Sequence, residues 1–321
     1  MEVLVTGGMG VNGARVVRKL VALGFDPVVL DRRPDYSLLP ELEGQIRFLG
    51  GDIMEIDTLA AIFREHRIQR VVHMAAYISP DMNREMLPVF TLNAQGSVQV
   101  MEACVRAGVE RLVYTSSRAA YGNLPPVGTP GYKPIAEDHP ARPHHVYDVA
   151  KVASEGMGQA YQRTHGLQFA ALRFAGIYGP GKMARHGNLS LRSRMVEHPL
   201  EGKAVNVPSG GDQVDDMIYV DDVAQGIVGA LLADRLNHSI YNIASGRGQT
   251  IRDLADAVRA VIPGADIEVG PGLDPLGSDV SYYAIYDISR ARADLGYEPR
   301  FSLEDGVRDY VDTLMRLRNG P

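Results

Sequence analysis

The fold of this chain is decided by the stretch Glu2-Val3-Leu4-Val5-Thr6-Gly7-Gly8-Met9-Gly10-Val11-Asn12-Gly13. An apolar run comes first, glycines stand at positions 7, 10 and 13, and an amphipathic segment extends to Leu23. This order predicts a strand, a tight turn and a helix whose free N–H groups can approach a pyrophosphate. The turn residues expected to bind a dinucleotide are Gly7, Gly10, Val11, Asn12 and Gly13. A capped surface turn is the alternative, because a glycine triplet alone is weak evidence.

A carboxylate at the end of the second apolar run indicates which dinucleotide binds. The run from Pro27 to Leu30 ends at Asp31, where a carboxylate can accept protons from the ribose hydroxyls and repel a 2′-phosphate. We therefore expect NAD as the cofactor. Arg32 and Arg33 follow directly and can tolerate a phosphate, so NADP stays open as the less favoured cofactor.

Composition excludes several classes of partner. The formal net charge is −6, with acids and bases interspersed, which argues against a nucleic-acid partner. Neither a polybasic cluster nor an apolar run of membrane-spanning length is present, so we expect no membrane partner. The single cysteine, Cys104, and a first strand beginning at residue 2 favour a cytoplasmic protein with no signal peptide. Histidines are scattered without metal-ligand spacing, so no metal is expected.

Strands and helices alternate through the first half of the chain. The predicted strands are 2–6, 27–31, 46–50, 70–74, 110–115 and 168–173, and the predicted helices are 11–23, 57–66, 84–107 and 146–165. This alternation predicts an α/β fold with a Rossmann-type, doubly wound parallel sheet. The pattern breaks after residue 175. We therefore expect an NAD-binding domain of 1–175 plus about 216–245 and a smaller, discontinuous C-terminal substrate domain of 176–215 plus 246–321.

Three polar side chains form the candidate catalytic group. Tyr147 and Lys151 are four residues apart, so they share one face of the predicted helix. A free tyrosine has a pKa near 10, and an ammonium together with a positively charged nicotinamide favours the phenolate. Ser117 follows the strand 110–115 and is placed to hydrogen-bond the reacting oxygen. The alternative is that Ser117 caps a turn and Tyr147 packs in the core.

These motifs resemble those of one known family. The matching pieces are residues 5–13, Asp31, 51–53, 72–76, Asn93, 114–117 with 121–122, Tyr147 to Lys151, Arg173 with 177–181, 218–224, 295–299 and 302–306. The chain resembles an extended short-chain dehydrogenase/reductase of the NAD-dependent epimerase/dehydratase family. The cofactor residues that this resemblance adds are Arg32, Asp52, Ile53, Ala75, Ala76, Asn93, Thr115 and Ile177, together with Tyr147 and Lys151. It also implies a homodimer formed through the helices 84–107 and 146–165.

The chain departs from the family pattern where the substrate is expected. The 4,6-dehydratases of this family carry a motif that resembles Thr-Asp-Glu at the end of this strand. The chain has Ser117, Arg118 and Ala119 at these positions, which argues against a dehydratase. Asp215 replaces an arginine that grips the diphosphate of nucleotide sugars, and 270–278 contains no arginine. We therefore expect a small polar substrate that is not a nucleotide sugar. The candidate substrate residues are Ser117, Arg118, Arg185, His186, Asn188 and Arg192, although the loop 182–194 can also be a solvated surface.

The residues together predict an NAD-dependent oxidoreductase that transfers a hydride reversibly at a secondary alcohol. The expected substrate is a polyol, a sugar or a sugar acid. The first alternative is an NAD-dependent UDP-sugar 4-epimerase, since the same catalytic residues serve both reactions. The second alternative is a non-catalytic sensor that binds a dinucleotide, because the fold alone does not establish catalysis.

Overall fold

The computed structural model describes residues 1–78, 84–186, 190–278 and 280–319. The predicted sheet is present, and all its neighbouring strands are parallel. Its strands are β1 (Val3–Thr6), β2 (Val28–Asp31), β3 (Arg47–Gly50), β4 (Arg70–His73), β5 (Arg111–Thr115), β6 (Gln168–Phe174) and β11 (Ile240–Ile243). They are ordered β11-β6-β5-β4-β1-β2-β3. The order reverses between β1 and β4, which is where a doubly wound sheet opens a ligand crevice at its carboxyl edge.

Helices cover both faces of the sheet. The helices of this part of the chain are α1 (Val11–Ala22), α2 (Ile56–Glu65), α3 (Met86–Phe90), α4 (Gly96–Ala107), α5 (Val146–His165) and α8 (Val220–Leu232). Successive β1 residues alternate between the two hydrophobic cores, with Val3 and Val5 on the α1 and α8 face and Leu4 on the α2 and α4 face. Cys104 is buried in the second core, where burial raises the pKa of its thiol. The Rossmann-type prediction is confirmed.

A third hydrophobic cluster lies beside this sheet. The remaining strands and α-helices of the chain are β7 (Gly176–Tyr178), α6 (Lys182–His186), α7 (Leu191–Leu200), β8 (Val205–Val207), β9 (Val214–Asp215), β10 (Met217–Tyr219), β12 (Gln249–Thr250), α9 (Ile251–Val261), β13 (Ile267–Val269), α10 (Ser289–Leu295) and α11 (Leu303–Asn319). Helices α7, α9 and α11 pack together over the pair β8 and β13. However, Ala291 and Leu295 of α10 join the core of the large sheet. The division of the chain into 1–175 plus 216–245 and the remainder stays a prediction.

One predicted helix contains a π-helical turn. The segment 84–107 contains α3, a π-helical turn at Thr91–Gln95, and then α4. The backbone oxygen of Asn93 accepts hydrogen bonds from the hydroxyls of Ser97 and Ser154, at 2.6 and 3.2 Å, which widens the helix there. Within the described ranges, none of the helices is both long and apolar enough to cross a membrane.

Candidate active site

The glycine turn between β1 and α1 leaves no room for side chains. Gly7 has a φ of +68°, and a Cβ added there would lie 2.7 Å from the backbone nitrogen of Ala75. A Cβ on Gly13 would lie 2.3 Å from the oxygen of Gly7. Gly10 precedes α1 without a side-chain cap, so the first N–H groups of the helix face the crevice. The turn therefore has the shape that a bound pyrophosphate requires.

A cavity of about 480 Å³ lies on the β2 side of this turn. The predicted cofactor residues that line it are Gly7, Gly10, Asp31, Arg32, Asp52, Ile53, Ala75 and Ala76. Asp31 accepts hydrogen bonds from the backbone nitrogens of Met9 at 3.2 Å and Arg32 at 2.8 Å, which hold its carboxylate at the strand end. Asp52 caps the next turn by accepting from the nitrogen of Met54 at 3.0 Å. This end of the crevice fits an adenosine.

A second cavity, of about 300 Å³, continues on the β5 side. The predicted residues that line it are Gly7, Gly10, Val11, Asn12, Gly13, Ala76, Thr115, Ser117, Tyr147, Lys151 and Ile177. Both cavities share Gly7, Gly10, Met74 and Ala76, so they form one cleft across the carboxyl edge of the sheet. The Oδ1 atom of Asn12 is buried and accepts no hydrogen bond from the part of the chain that is described. The cleft thus fits a dinucleotide and offers it an acceptor.

Ser117, Tyr147 and Lys151 meet at the far end of the cleft. The Lys151 Nζ atom donates to the backbone oxygen of Thr115 at 2.7 Å and lies 5.4 Å from the centre of the Tyr147 ring. The Ser117 hydroxyl lies close enough to Tyr147 to lower its pKa, and it accepts from the nitrogen of Ala119 at 3.1 Å. Ser117 therefore caps a turn, which is one of the two roles considered from the sequence. Its hydrogen bond to the reacting oxygen stays a prediction.

The electrostatics of this group depend strongly on burial. Burial raises the pKa of Tyr147 above 10.0, and the neighbouring Asp148 carboxylate raises it further, while the hydrogen bond with Ser117 opposes both. Burial lowers the pKa of Lys151 from 10.5 to about 7, although the Glu155 carboxylate favours its charged form. Burial therefore dominates the pKa of Tyr147 among the effects of the chain's own residues. That the Lys151 ammonium together with a positively charged nicotinamide favours the phenolate stays a prediction.

Four of the predicted site residues lie elsewhere. Asn93, Arg118 and Arg192 line neither cavity. The Asn93 amide bonds to both backbone groups of Tyr77, at 2.7 and 2.9 Å, so it holds the loop after β4 in place. Arg185 was expected to contact the substrate, but it lines the adenosine end and pairs with Asp35 at 2.6 Å. His186 ends the short helix α6, and Asn188 lies outside the described residues.

Asp215 has a role that its sequence position did not reveal. It pairs with Arg118 at 2.5 Å and with Arg192, and all three side chains are buried. The argument from the sequence treated Asp215 as a lone carboxylate that would repel a diphosphate. This argument was wrong, because two guanidinium groups outweigh one carboxylate. Gly176 makes the arrangement possible, since a Cβ there would lie 3.0 Å from the Cζ atom of Arg192.

The structure adds residues to the site that were not singled out. Met74, Phe174 and Ala175 line the cleft, as does Lys182 at the start of α6. The apolar residues lie at or directly after the carboxyl ends of β4 and β6. Ligands bind at this edge of a parallel sheet, so such positions can be predicted from the sequence. Lys182 follows a Gly-Pro-Gly turn, and no local pattern distinguishes it from a surface lysine. Nowhere in the described part of the chain do three or more acidic, histidine or cysteine side chains group as metal ligands.

Known proteins share both the sequence pattern and the fold. The model of the NAD dependent epimerase/dehydratase family matches residues 3–244. The chain belongs to this family. The prediction of an extended short-chain dehydrogenase/reductase is therefore confirmed, and NAD is the cofactor that the family and the cleft indicate.

Individual relatives align over nearly the whole length of the chain. A UDP-glucose 4-epimerase of Mycolicibacterium smegmatis is 29% identical over 317 residues, covering 97% of this chain and 98% of the relative. A dTDP-glucose 4,6-dehydratase of Streptomyces antibioticus is 28% identical, covering 97% and 92%. The crystal structure of the Thermotoga maritima UDP-glucose 4-epimerase with UDP-glucose has a TM-score of 0.86 at 29% identity, covering 98% and 99%. The Thermus thermophilus enzyme, in complex with NAD, has a TM-score of 0.82 at 29% identity and the same coverage.

These relatives bear on the substrate expected from the sequence. These relatives are named for nucleotide sugars, and a small polyol outside that class gains no support from them. The alternative of a UDP-sugar 4-epimerase agrees with them better. Membership of the family makes the chain an NAD-dependent enzyme of the epimerase/dehydratase type.

Proposed function

We propose that this chain is an NAD-dependent 4-epimerase of a UDP-linked hexose. The observation that carries the proposal is the meeting of Tyr147, Ser117 and Lys151 at one end of a dinucleotide cleft. Relatives that match over almost the full length include UDP-glucose 4-epimerases. A dehydratase is disfavoured, because Arg118 and Ala119 stand where the acid pair for water elimination is expected. A non-catalytic sensor is disfavoured, because both Tyr147 and Lys151 are retained at the cleft.

The cofactor is held mainly by backbone groups in this proposal. The turn 7–13 binds the pyrophosphate, Asp31 the adenosine ribose, and Asp52 with Ile53 the adenine. Ala75, Ala76, Thr115 and Ile177 line the path to the nicotinamide, and Arg32 borders the adenosine end. Bound NAD supplies the hydride acceptor and a positive charge in the cleft.

The chain's own residues move the proton. Tyr147 takes the proton of the substrate's 4-hydroxyl, because its phenol oxygen faces the cleft and Ser117 orients it. The high pKa of the buried phenol means that it is neutral at rest, so its deprotonation depends on added positive charge. Lys151 contributes part of this charge and holds the ribose through its buried ammonium. After the 4-ketone has turned over in the site, Tyr147 returns the proton to the same oxygen as the hydride held by the cofactor would return to the opposite face of C4, which completes the epimerisation.

The experiment is an assay of purified protein with UDP-glucose and UDP-galactose, followed by chromatography of the sugars and by absorbance of the reduced cofactor. We expect interconversion of the two sugars without net release of reduced cofactor. Stoichiometric release with formation of a ketone would instead establish a dehydrogenase. Absence of any reaction at C4, with both sugars and added NAD, would overturn the proposal.

We also propose a homodimer that acts in the cytoplasm. Exposed apolar side chains cluster on the packed helices α3 and α5, namely Met86, Leu87, Phe90, Val149 and Met157. Such a patch is typical of a surface that pairs with another chain. A single buried cysteine suits a reducing compartment. Light scattering of the protein and of Leu87→Glu tests the dimer, since a charge in the patch should release monomers.

A further inference from the structure

Lys182 lines the substrate end of the cleft, and an ion-paired group of Arg118, Arg192 and Asp215 lies near it. Asp215 bridges Arg118 and Arg192, and burial together with these two arginines lowers the pKa of Lys182 from 10.5 to about 8. The Lys182 Nζ atom has no hydrogen-bond or ion-pair partner among the residues that the structure describes. We call Arg118, Lys182 and Arg192 the cation cluster. It carries three positive charges, and its one internal counter-ion, the carboxylate of Asp215, carries a single negative charge.

Unsatisfied donors in the cluster point to a missing anion. Arg192 is only 9% exposed, and its buried Nε atom donates to no acceptor in the described part of the chain. A buried charged donor without a partner is costly, so a ligand that accepts from it is strongly favoured. The other nearby carboxylates are already engaged. Asp216 accepts from Ser245, Gly246 and Tyr286, and Asp274 accepts from Tyr283 at 3.0 Å.

The cluster lies beside the reacting group rather than away from it. Arg118 directly follows Ser117, and Lys182 lines the same cavity as Ser117 and Tyr147. In a 4-epimerase the reacting C4 is bonded to C5, which bears the C6 group of the hexose. The diphosphate is attached at C1, on the opposite side of the sugar ring. If the substrate carries an anionic group that contacts these cations beside C4, that group is therefore the one at C6.

We propose that Arg118, Lys182 and Arg192 bind a carboxylate at C6 of the substrate, which makes the natural substrate class a UDP-linked uronic acid. The proposal rests on the function proposed above and specifies its sugar. Carboxylates are the anions that arginine and lysine bind with short, charge-assisted hydrogen bonds. Lys182 contacts the carboxylate directly, and the two arginines held by Asp215 supply the remaining positive potential.

The test compares UDP-glucuronate with UDP-glucose, which lacks only the carboxylate. For the wild-type enzyme we expect kcat/KM for epimerisation of the uronate to be at least about tenfold higher. Lys182→Met should lower kcat/KM for the uronate about tenfold more than for UDP-glucose, and Lys182→Arg should retain most of the preference. Lys203→Met, at an exposed lysine paired with Glu201, is the matched control and should leave the preference intact.

The outcomes separate this proposal from the function on which it rests. If the wild-type enzyme epimerises UDP-glucose as well as the uronate, the carboxylate proposal fails and the 4-epimerase stands. If Lys182→Met weakens UDP binding in calorimetry and slows both sugars equally, the cluster binds the diphosphate and the proposal is overturned. If neither sugar reacts at C4, both proposals fail together.

Discussion

The two ends of the cleft are built on different principles. The cofactor end is formed mainly by backbone, since the turn 7–13 and the loop after β4 approach each other so closely that side chains are excluded. At the substrate end Lys182 lines the cleft, and charged side chains from three other segments, Arg118, Arg192 and Asp215, pair with one another close to it. A backbone site is shared by every family member that keeps its glycines. A site built from side chains can change its ligand specificity through a few substitutions. The chain departs from the family pattern at this substrate end.

The largest expected effect is the loss of turnover when Tyr147, which lies between the two ends of the cleft, is replaced. Tyr147→Phe should lower kcat by about 10²- to 10⁴-fold, because it removes the group that transfers the proton. The affinity for NAD, measured by calorimetry, should stay within about twofold, because the backbone turn is untouched. Tyr161→Phe on the same helix is the control, since its hydroxyl bonds to Glu102 away from the cleft. Wild-type turnover by Tyr147→Phe would show that Tyr147 does not transfer the proton.

The next effect concerns stability at the substrate end. Asp215→Asn should lower the free energy of unfolding by about 3 kcal/mol, because it leaves two buried arginines without their counter-ion. Glu298→Gln removes an exposed partner of Arg292 and should cost about 1 kcal/mol or less. Urea denaturation of both variants gives the comparison. Equal losses would show that the buried cluster is not held together by Asp215.

A pH effect tests the cofactor end. Burial lowers the pKa of His73 from 6.5 to about 3, so the folded protein keeps this ring neutral. The unfolded chain takes up a proton as the pH falls below 6.5, whereas the folded chain does so only near pH 3. Stability is therefore lost as the pH decreases through this window, by about 2 kcal/mol between pH 7 and pH 5. Urea denaturation at the two pH values measures the loss.

A matched pair of variants assigns that pH dependence. His73→Gln should remove most of it, because the ring lies between Thr6 and Ser97 with hydrogen bonds of 2.7 and 3.0 Å. His66→Gln, at the end of α2, should retain the wild-type dependence. If His73→Gln keeps the full loss of stability at pH 5, the effect originates elsewhere.

The smallest expected effect concerns the choice of cofactor. Asp31→Asn should weaken NAD binding about tenfold and narrow its advantage over NADP, because the carboxylate that accepts the ribose protons is gone. Asp26→Asn is the control, since Asp26 pairs with Arg47 outside the cleft. Calorimetry with both nucleotides measures the change. An unchanged preference would mean that Arg32 and Arg33, rather than Asp31, govern the adenosine end.

Local patterns were sufficient for most of the fold. The strands predicted at 27–31, 46–50 and 110–115 agree with β2, β3 and β5 to within a residue, because continuous apolar runs form the interior of a parallel sheet. The helix predicted at 84–107 is present from Met86 to Ala107, but it contains a π-helical turn that was not predicted. Hydroxyls of Ser97 and Ser154 bond to that turn, and Ser154 belongs to another helix. Contacts between segments far apart in the chain produce no periodic pattern of residues, so the sequence does not predict them.

The sequence by itself determined the parallel sheet, the glycine turn and the spacing of Tyr147 and Lys151. These features depend on neighbours within one strand, one turn or one helix, so a short stretch of residues specifies them. Only the tertiary structure decided that Arg185 lies at the adenosine end, that burial dominates the pKa of Tyr147, and that Asp215 is neutralised by two arginines. Charge and burial depend on residues far apart in the chain, and folding alone brings these together.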